Sequence, residues 1–154
     1  MPTPTELKTE IQTGPLAAEL APHVTAGDHI AIAGVLNRPD YGTIVYQRMV
    51  NFRTVMAEID PVTGASILDK LEAAASTVSA IKWALYGIKS DTGIDVGHPA
   101  TRAQIDALVA GGVLTSTEGA QLKSLAERMG SRAEALWGAG TVITHEQVAE
   151  ALRS

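Results

Sequence analysis

Three times between Thr101 and Gln147 the sequence spells out the start of a helix. Thr101-Arg-Ala-Gln104, Thr115-Ser-Thr-Glu118 and Thr144-His-Glu-Gln147 each place a hydroxyl three residues before a Glu or Gln. At that spacing the hydroxyl accepts from the backbone N–H of the fourth residue, and the longer side chain reaches back to the first. Each such cap stabilises a helix by about 1 kcal/mol. Ser131-Arg-Ala-Glu134 repeats the arrangement, which leaves Arg132 free to reach neighbouring carbonyls or acids in a local corner clamp. This density of start signals commits the C-terminal third of the chain to short helices.

From Thr115 to Arg153 the reading is a helix, a break at Gly138-Ala-Gly140, and a second short helix. Leu122, Leu125, Met129, Leu136, Trp137, Val142, Val148 and Leu152 are expected to fold these two back on one another. Upstream, Thr5 is expected to cap a helix over Glu6–Thr13, with Leu7 and Ile11 on one face. Pro15 suits the first position of the next helix, whose Pro22 predicts a kink or an end near Ala21. Gly27-Asp28 stops that helix and starts a third, in which Ile30, Ile32, Val35 and Leu36 are taken as core.

Residues 40–52 are ambiguous. β-Branched and aromatic residues from Thr43 to Val50 favour a strand or extended arm, whereas Val45, Met49 and Phe52 also recur at helical spacing. An extended entry followed by a helix over about Thr54–Ile59 reconciles the two. Asp60-Pro61-Val-Thr-Gly64 reads as a turn. A long central helix is then expected over about 66–86, with Ile67, Leu71, Ala74, Val78, Ile81 and Leu85 as its stripe, closed by Gly87. The resulting expectation is a mainly α, single-domain bundle of six to eight short helices around that central one. A short strand or arm near 40–52 completes it.

Composition excludes more than it identifies. The chain has 154 residues, no cysteine and a net charge of −5 spread without runs. A disulfide framework and thiol chemistry are therefore absent. Between Thr117 and Arg128 the only cations are Lys123 and Arg128, too few for a DNA-recognition helix, so nucleic-acid binding is disfavoured. MPTPTELKTE lacks the basic and apolar segments of a signal peptide, and no apolar run suits a bilayer, so no membrane partner is expected.

Few side chains offer chemistry. His23, His29, His98 and His145 form no HxxxH or HExxH pair. Asp91, Asp95 and His98 gather in the 88–100 segment, but the order DTGIDVGH departs from a calcium loop and reads as a packed structural loop. Gly138-Ala-Gly140 follows a helix rather than a strand, unlike a phosphate-binding turn. No catalytic, cofactor or metal residue is assigned. The aromatics are scarce: Phe52, Trp83, Trp137, Tyr41, Tyr46 and Tyr86 are all of them. Trp83 and Trp137 are expected mainly as core plugs, although tryptophan is also enriched at interface hot spots. Candidate interface residues are Tyr41, Ile44, Tyr46 and Arg48 of the arm, together with Trp83 and Trp137. Their partner would be a second subunit, reached by strand addition in the case of the arm.

The ending SRAEALWGAGTVITHEQVAEAL and the opening ELKTEI…PL…DHIAIAGVLN resemble the two ends of small helical proteins encoded by tailed bacteriophages and prophages. VTGASILDKLEAAAS and ATRAQIDALVAGGVLTSTEGAQLKSLAER between them keep the same order of elements. The resemblance transfers no catalytic residue. It implies a non-enzymatic structural protein of the virion, made in the host cytoplasm. Such a subunit would assemble with itself, as a ring or at a vertex, and with other head, neck or tail proteins. The alternative expectation is an intracellular phage accessory protein that binds a host factor or nucleic acid.

Overall fold

The computed structural model describes all residues from Met1 to Ser154. The chain is mainly helical, with ten helices and two small strand pairs. Its contacts gather into two compact units, Met1–Ile44 with Met129–Ser154 and, between them in sequence, Val45–Arg128. The chain passes from the first to the second inside β1 (Gly42–Val45) and returns inside β4 (Glu127–Gly130), and these strands pair.

The first unit contains α1 (Pro4–Thr13), α2 (Ala17–Ala26), α3 (His29–Asn37), α9 (Arg132–Trp137) and α10 (His145–Arg153). Leu7, Ile11, Leu20, Ile32, Leu36, Ile143 and Val148 are fully buried in its core, closed by the small Ala133 and Ala151. Ile30 is not among them; it is 72% exposed, because a cap at Asp28 turns the first position after His29 outward. Two polar ties join the N-terminal helices to the returning chain. Asn37 Nδ2 donates to the Ile143 carbonyl at 2.7 Å, and the Ile143 N–H donates to Asn37 Oδ1 at 2.9 Å. Arg132 grips Glu10 with Nε and Nη2, at 2.7 and 2.9 Å.

Pro22 neither ends nor stops α2, which continues to Ala26 and closes on Gly27 in the left-handed conformation (φ 67°). Proline removes the N–H that would bond the carbonyl four residues back. That residue, Ala18, is exposed, so water can satisfy its carbonyl.

The second unit contains β2 (Met49–Val50), α4 (Phe52–Glu58), α5 (Pro61–Ala75), α6 (Ser79–Lys89), β3 (Ile94–Asp95), α7 (Pro99–Ala110) and α8 (Ser116–Ser124). β2 and β3 are antiparallel, with Met49 opposite Asp95 and Val50 opposite Ile94. Val50, Val55, Ile67, Leu71, Leu85, Ile88, Val96, Ile105 and Leu122 make its core. The 88–100 loop lies so close to its partner strand that a Cβ on Gly97 would stand 2.0 Å from the Tyr46 carbonyl, and one on Gly93 2.4 Å from that of Val50. Only glycine fits there.

The long helix expected over 66–86 is two helices. Residues 76–78 separate α5 from α6. Ser76 Oγ donates to the Ala73 carbonyl and Thr77 Oγ1 to that of Ala74, the local bonds by which Ser and Thr compete with a helix. Val78 is extended (φ −122°, ψ 107°) and 44% exposed, so the apolar stripe is interrupted there. α5 also begins earlier than expected. Asp60 Oδ1 accepts from the N–H groups of Val62 and Thr63, and Pro61 opens the helix rather than a turn. α6 runs past Gly87 to Lys89.

Two further starts move upstream. Thr3 caps α1 in a full capping box with Glu6, in place of Thr5. His98 caps α7, which puts Thr101 and Gln104 inside the helix rather than at its start. The boxes at Thr115, Ser131 and Thr144 stand as read.

Candidate interaction surface

Helix α6 presents two faces. Leu85 and Ile88 are buried and Ile81 and Ala84 half-buried, while Lys82, Trp83 and Tyr86 lie outside. The i, i+3 spacing of Trp83 and Tyr86 brings their rings together on one side of the helix. The rings meet edge to face, 6.3 Å between centroids and 64° between planes. Lys82 Nζ lies 5.8 Å from the centre of the Trp83 ring and makes no ion pair. Trp83 is 68% exposed and Tyr86 74%, so two of the six aromatic side chains of this chain face solvent side by side. Trp83 therefore does not plug the core. The inward face of the helix is taken by Leu85 and Ile88 instead.

Behind α6, the second unit holds an apolar cavity of about 50 Å³ lined by Leu71, Leu85, Ile105 and Leu108, with Thr101 and Gln104 the polar groups on its wall. It is a packing gap: no group around it is both titratable and aimed inward.

The other tryptophan behaves differently. Trp137 is half-buried against the first core. With Leu136, 41% exposed, it forms the apolar floor of an open groove of about 320 Å³ whose far wall is Thr5, Glu6, Thr9 and Glu10 of α1. Glu10 is matched by Arg132, whereas Glu6 is bonded only to its own cap, Thr3. The Thr3 backbone and hydroxyl hold the Glu6 carboxyl below the usual glutamate range, so the groove carries a negative charge at neutral pH.

The candidate arm residues are largely committed within the chain. Tyr41 is 38% exposed and is clasped by Arg132, whose Nη1 donates to its hydroxyl at 2.8 Å with the guanidinium 4.8 Å from the ring centre. The corner clamp expected at Arg132 thus reaches much farther than its own turn. Ile44 is buried against Gly130, where a Cβ would stand 2.5 Å away. Tyr46 is half-buried under Arg128, 5.5 Å from its guanidinium, and donates its N–H to the Ala126 carbonyl. Arg48 bonds the Leu125 carbonyl at 2.7 Å and pairs with Glu58, which raises its pKa further. Strand addition at this arm meets a β1 already paired with β4.

Other titratable side chains also serve as fasteners. Lys70 holds Glu118 at 2.7 and 2.9 Å, and that contact, with the Thr115 backbone N–H, lowers the Glu118 pKa. Arg102 bonds the Lys123 carbonyl and pairs with Glu127. Asp95 Oδ1 accepts from the N–H groups of Arg48 and Gly97, pinning the loop to β2, while Asp91 is 90% exposed. His98 accepts from the Ala100 N–H as the cap of α7, so Asp91, Asp95 and His98 make separate contacts; His145, elsewhere in the chain, lies beside Glu146 at 3.1 Å. No three His, Asp or Glu residues converge on a common point. In the Gly138–Gly140 break both glycines have positive φ, and the Gly140 N–H donates to Glu134 Oε1, tying the break to the cap before it.

No helix is long and apolar enough to cross a membrane. No protein-family model, curated protein or solved structure matches the chain.

Proposed function

We propose that the protein is a non-enzymatic structural subunit of a tailed-phage particle. It would be made in the host cytoplasm and built into the virion beside copies of itself and neighbouring head, neck or tail proteins. The observation that carries this reading is the exposed Trp83–Tyr86 pair on α6. Large aromatic side chains left in water are the commonest anchors of protein–protein interfaces, and two together on a rigid helix lose little entropy on docking. The resemblance at the two ends of the chain adds the source. The ionic groups are consistent with it, since Arg132–Glu10, Lys70–Glu118 and Arg102–Glu127 join elements of the fold rather than line a reaction site.

Mass spectrometry of purified particles from a lysate of a phage that encodes this chain is the direct test. The chain should be present in a fixed ratio to the major head or tail protein and should persist through a density gradient. Its absence from particles, with the protein abundant in the lysate, would overturn the reading. Loss of the gene should yield incomplete particles rather than failed replication.

A further inference from the structure

The two exposed features of the surface complement each other. The exposed side chains of α6 include Lys82, Trp83 and Tyr86, an aromatic knob with an unpaired cation at its edge; the helix carries no acid, and its exposed Lys89 is paired with Glu72 of α5. The groove of the first unit has an apolar floor, Leu136 and Trp137, and on its wall the Glu6 carboxylate, which is bonded by its cap Thr3 but has no cationic side chain against it. Its volume of about 320 Å³ leaves room for a large ring. The charges are divided in the same sense. Residues 1–44 and 129–154 carry eight acidic against four basic residues, and residues 45–128 carry nine against eight, so the net −5 falls almost wholly on the unit that holds the groove.

We infer that the groove of one copy receives the Trp83–Tyr86 knob of a second copy, with Lys82 set against Glu6, in a head-to-tail contact. The inference rests on the reading that this protein is an assembly subunit and names the surface through which its copies meet. Because knob and groove are different patches, the contact is heterologous. An open chain keeps one free knob at one end and one free groove at the other until a ring closes, so assembly proceeds beyond two subunits. An isologous alternative, α6 against α6, would bring Lys82 near its own copy across a dyad and stop at a dimer.

Two variants separate these geometries in the full-length protein. Trp83→Ala removes the knob and keeps the groove. Thr9→Arg fills the groove, sets a cation beside Glu6 and keeps the knob; Thr9 is exposed on α1 and Arg is a good helix former, so folding is retained. Sedimentation velocity is the readout, with circular dichroism to confirm unchanged helix content. The wild type should form concentration-dependent oligomers. Each variant alone should associate at least about 30-fold more weakly, the scale of a hot-spot loss. An equimolar mixture should form a 1:1 pair and stop there, because only one knob and one groove remain functional. Lys82→Glu should weaken assembly about tenfold at low salt and less at high salt.

Assembly of Thr9→Arg as well as the wild type would overturn the inference, as would a mixture that stays monomeric, or a wild type that remains monomeric at about 100 µM. These results do not depend on where the protein resides. Pairing of the mixed variants, with the chain missing from particles, would leave the contact standing and sink the virion reading. A chain found in particles whose variants assemble normally would do the reverse.

Discussion

The two units solve the same packing problem with similar aliphatic material and reach different results. The second is continuous in sequence, Val45–Arg128; its long-range ties, such as Lys70–Glu118 and Arg48–Leu125, close shorter stretches of chain, its core contains a cavity, and its Trp83 and Tyr86 stand in water. The first is assembled from two segments separated by that whole stretch. Closing so long a loop costs chain entropy that grows slowly with length, about 0.6 kcal/mol per doubling. The first unit recovers that cost at specific points: the Asn37–Ile143 amide pair and the Arg132–Glu10 clamp each join residues more than 100 positions apart. The lesson is that both units use directional polar ties, but in the discontinuous one they join its two segments, whereas the continuous one is already joined by its chain and also tolerates a packing gap.

The sharpest way to break that contrast is to cut a tie. Arg132→Ala leaves the Glu10 carboxylate, with a side chain only 10% exposed, without its partner and frees Tyr41. We expect a loss of about 3–5 kcal/mol in urea unfolding, with hydrogen exchange accelerated first in α1, α9 and α10. Replacing both Glu10 and Arg132 by Met should recover most of it, because no charge is then stranded. Asn37→Ala should follow at about 1–3 kcal/mol, since it strips both backbone groups of Ile143 of their partner.

In the second unit the sign reverses. Ala84 lines the cavity, and Ala84→Leu should raise stability by about 1 kcal/mol by filling it; a loss would show the gap to be too narrow to fill. The Lys70–Glu118 pair gives a smaller, pH-dependent effect. The folded pKa of Glu118 lies below its ordinary value of 4.5, so its contribution is complete above that value and is lost as pH falls through the lowered one. Lys70→Met should flatten this part of the acid limb, by about 1 kcal/mol or less because Lys70 is partly solvated. Trp83→Ala should change stability least, within about 0.5 kcal/mol, although the proposed contact between copies should weaken about 30-fold. A larger effect would mean that the ring packs on its own unit rather than waiting for a partner.

Much of the helical layout was legible, and its errors share a cause. Three helices begin with an X-Pro step, Thr3-Pro4, Asp60-Pro61 and His98-Pro99, in which proline is the first helical residue and the residue before it caps. By sequence the N-terminal proline position falls to Pro15, which in the structure lies in a turn ahead of α2, and the three true starts lie upstream of the positions expected. Proline fixes φ for a helix and for a turn alike. What separates them is whether the next residues find a face to bury. The surface was half legible. Scarcity singled out Trp83 and Trp137, but no local pattern could say that one would be a floor and the other a knob. Ile44, a candidate interface residue by sequence, is buried in the structure, because it packs on Gly130, far along the chain.

The Thr115–Arg153 stretch gathers both halves of the answer. Its three caps, at Thr115, Ser131 and Thr144, form as written because each spans four residues and needs nothing beyond them. The expected pair of helices folded on one another does not form. A strand, β4, interrupts the stretch and divides it between the units: Leu122 and Leu125 enter the second core, Val148 and Ala151 the first, and Met129 is left 51% exposed. Local signals, satisfied within a turn of backbone, determined where helices start and that the chain would be helical. Which core each helix joins, and which aromatics stay outside, was decided by contacts with residues far along the chain, more than a hundred positions away in the first unit and tens of positions away in the second, where apolar burial is non-directional and shape alone selects the partner.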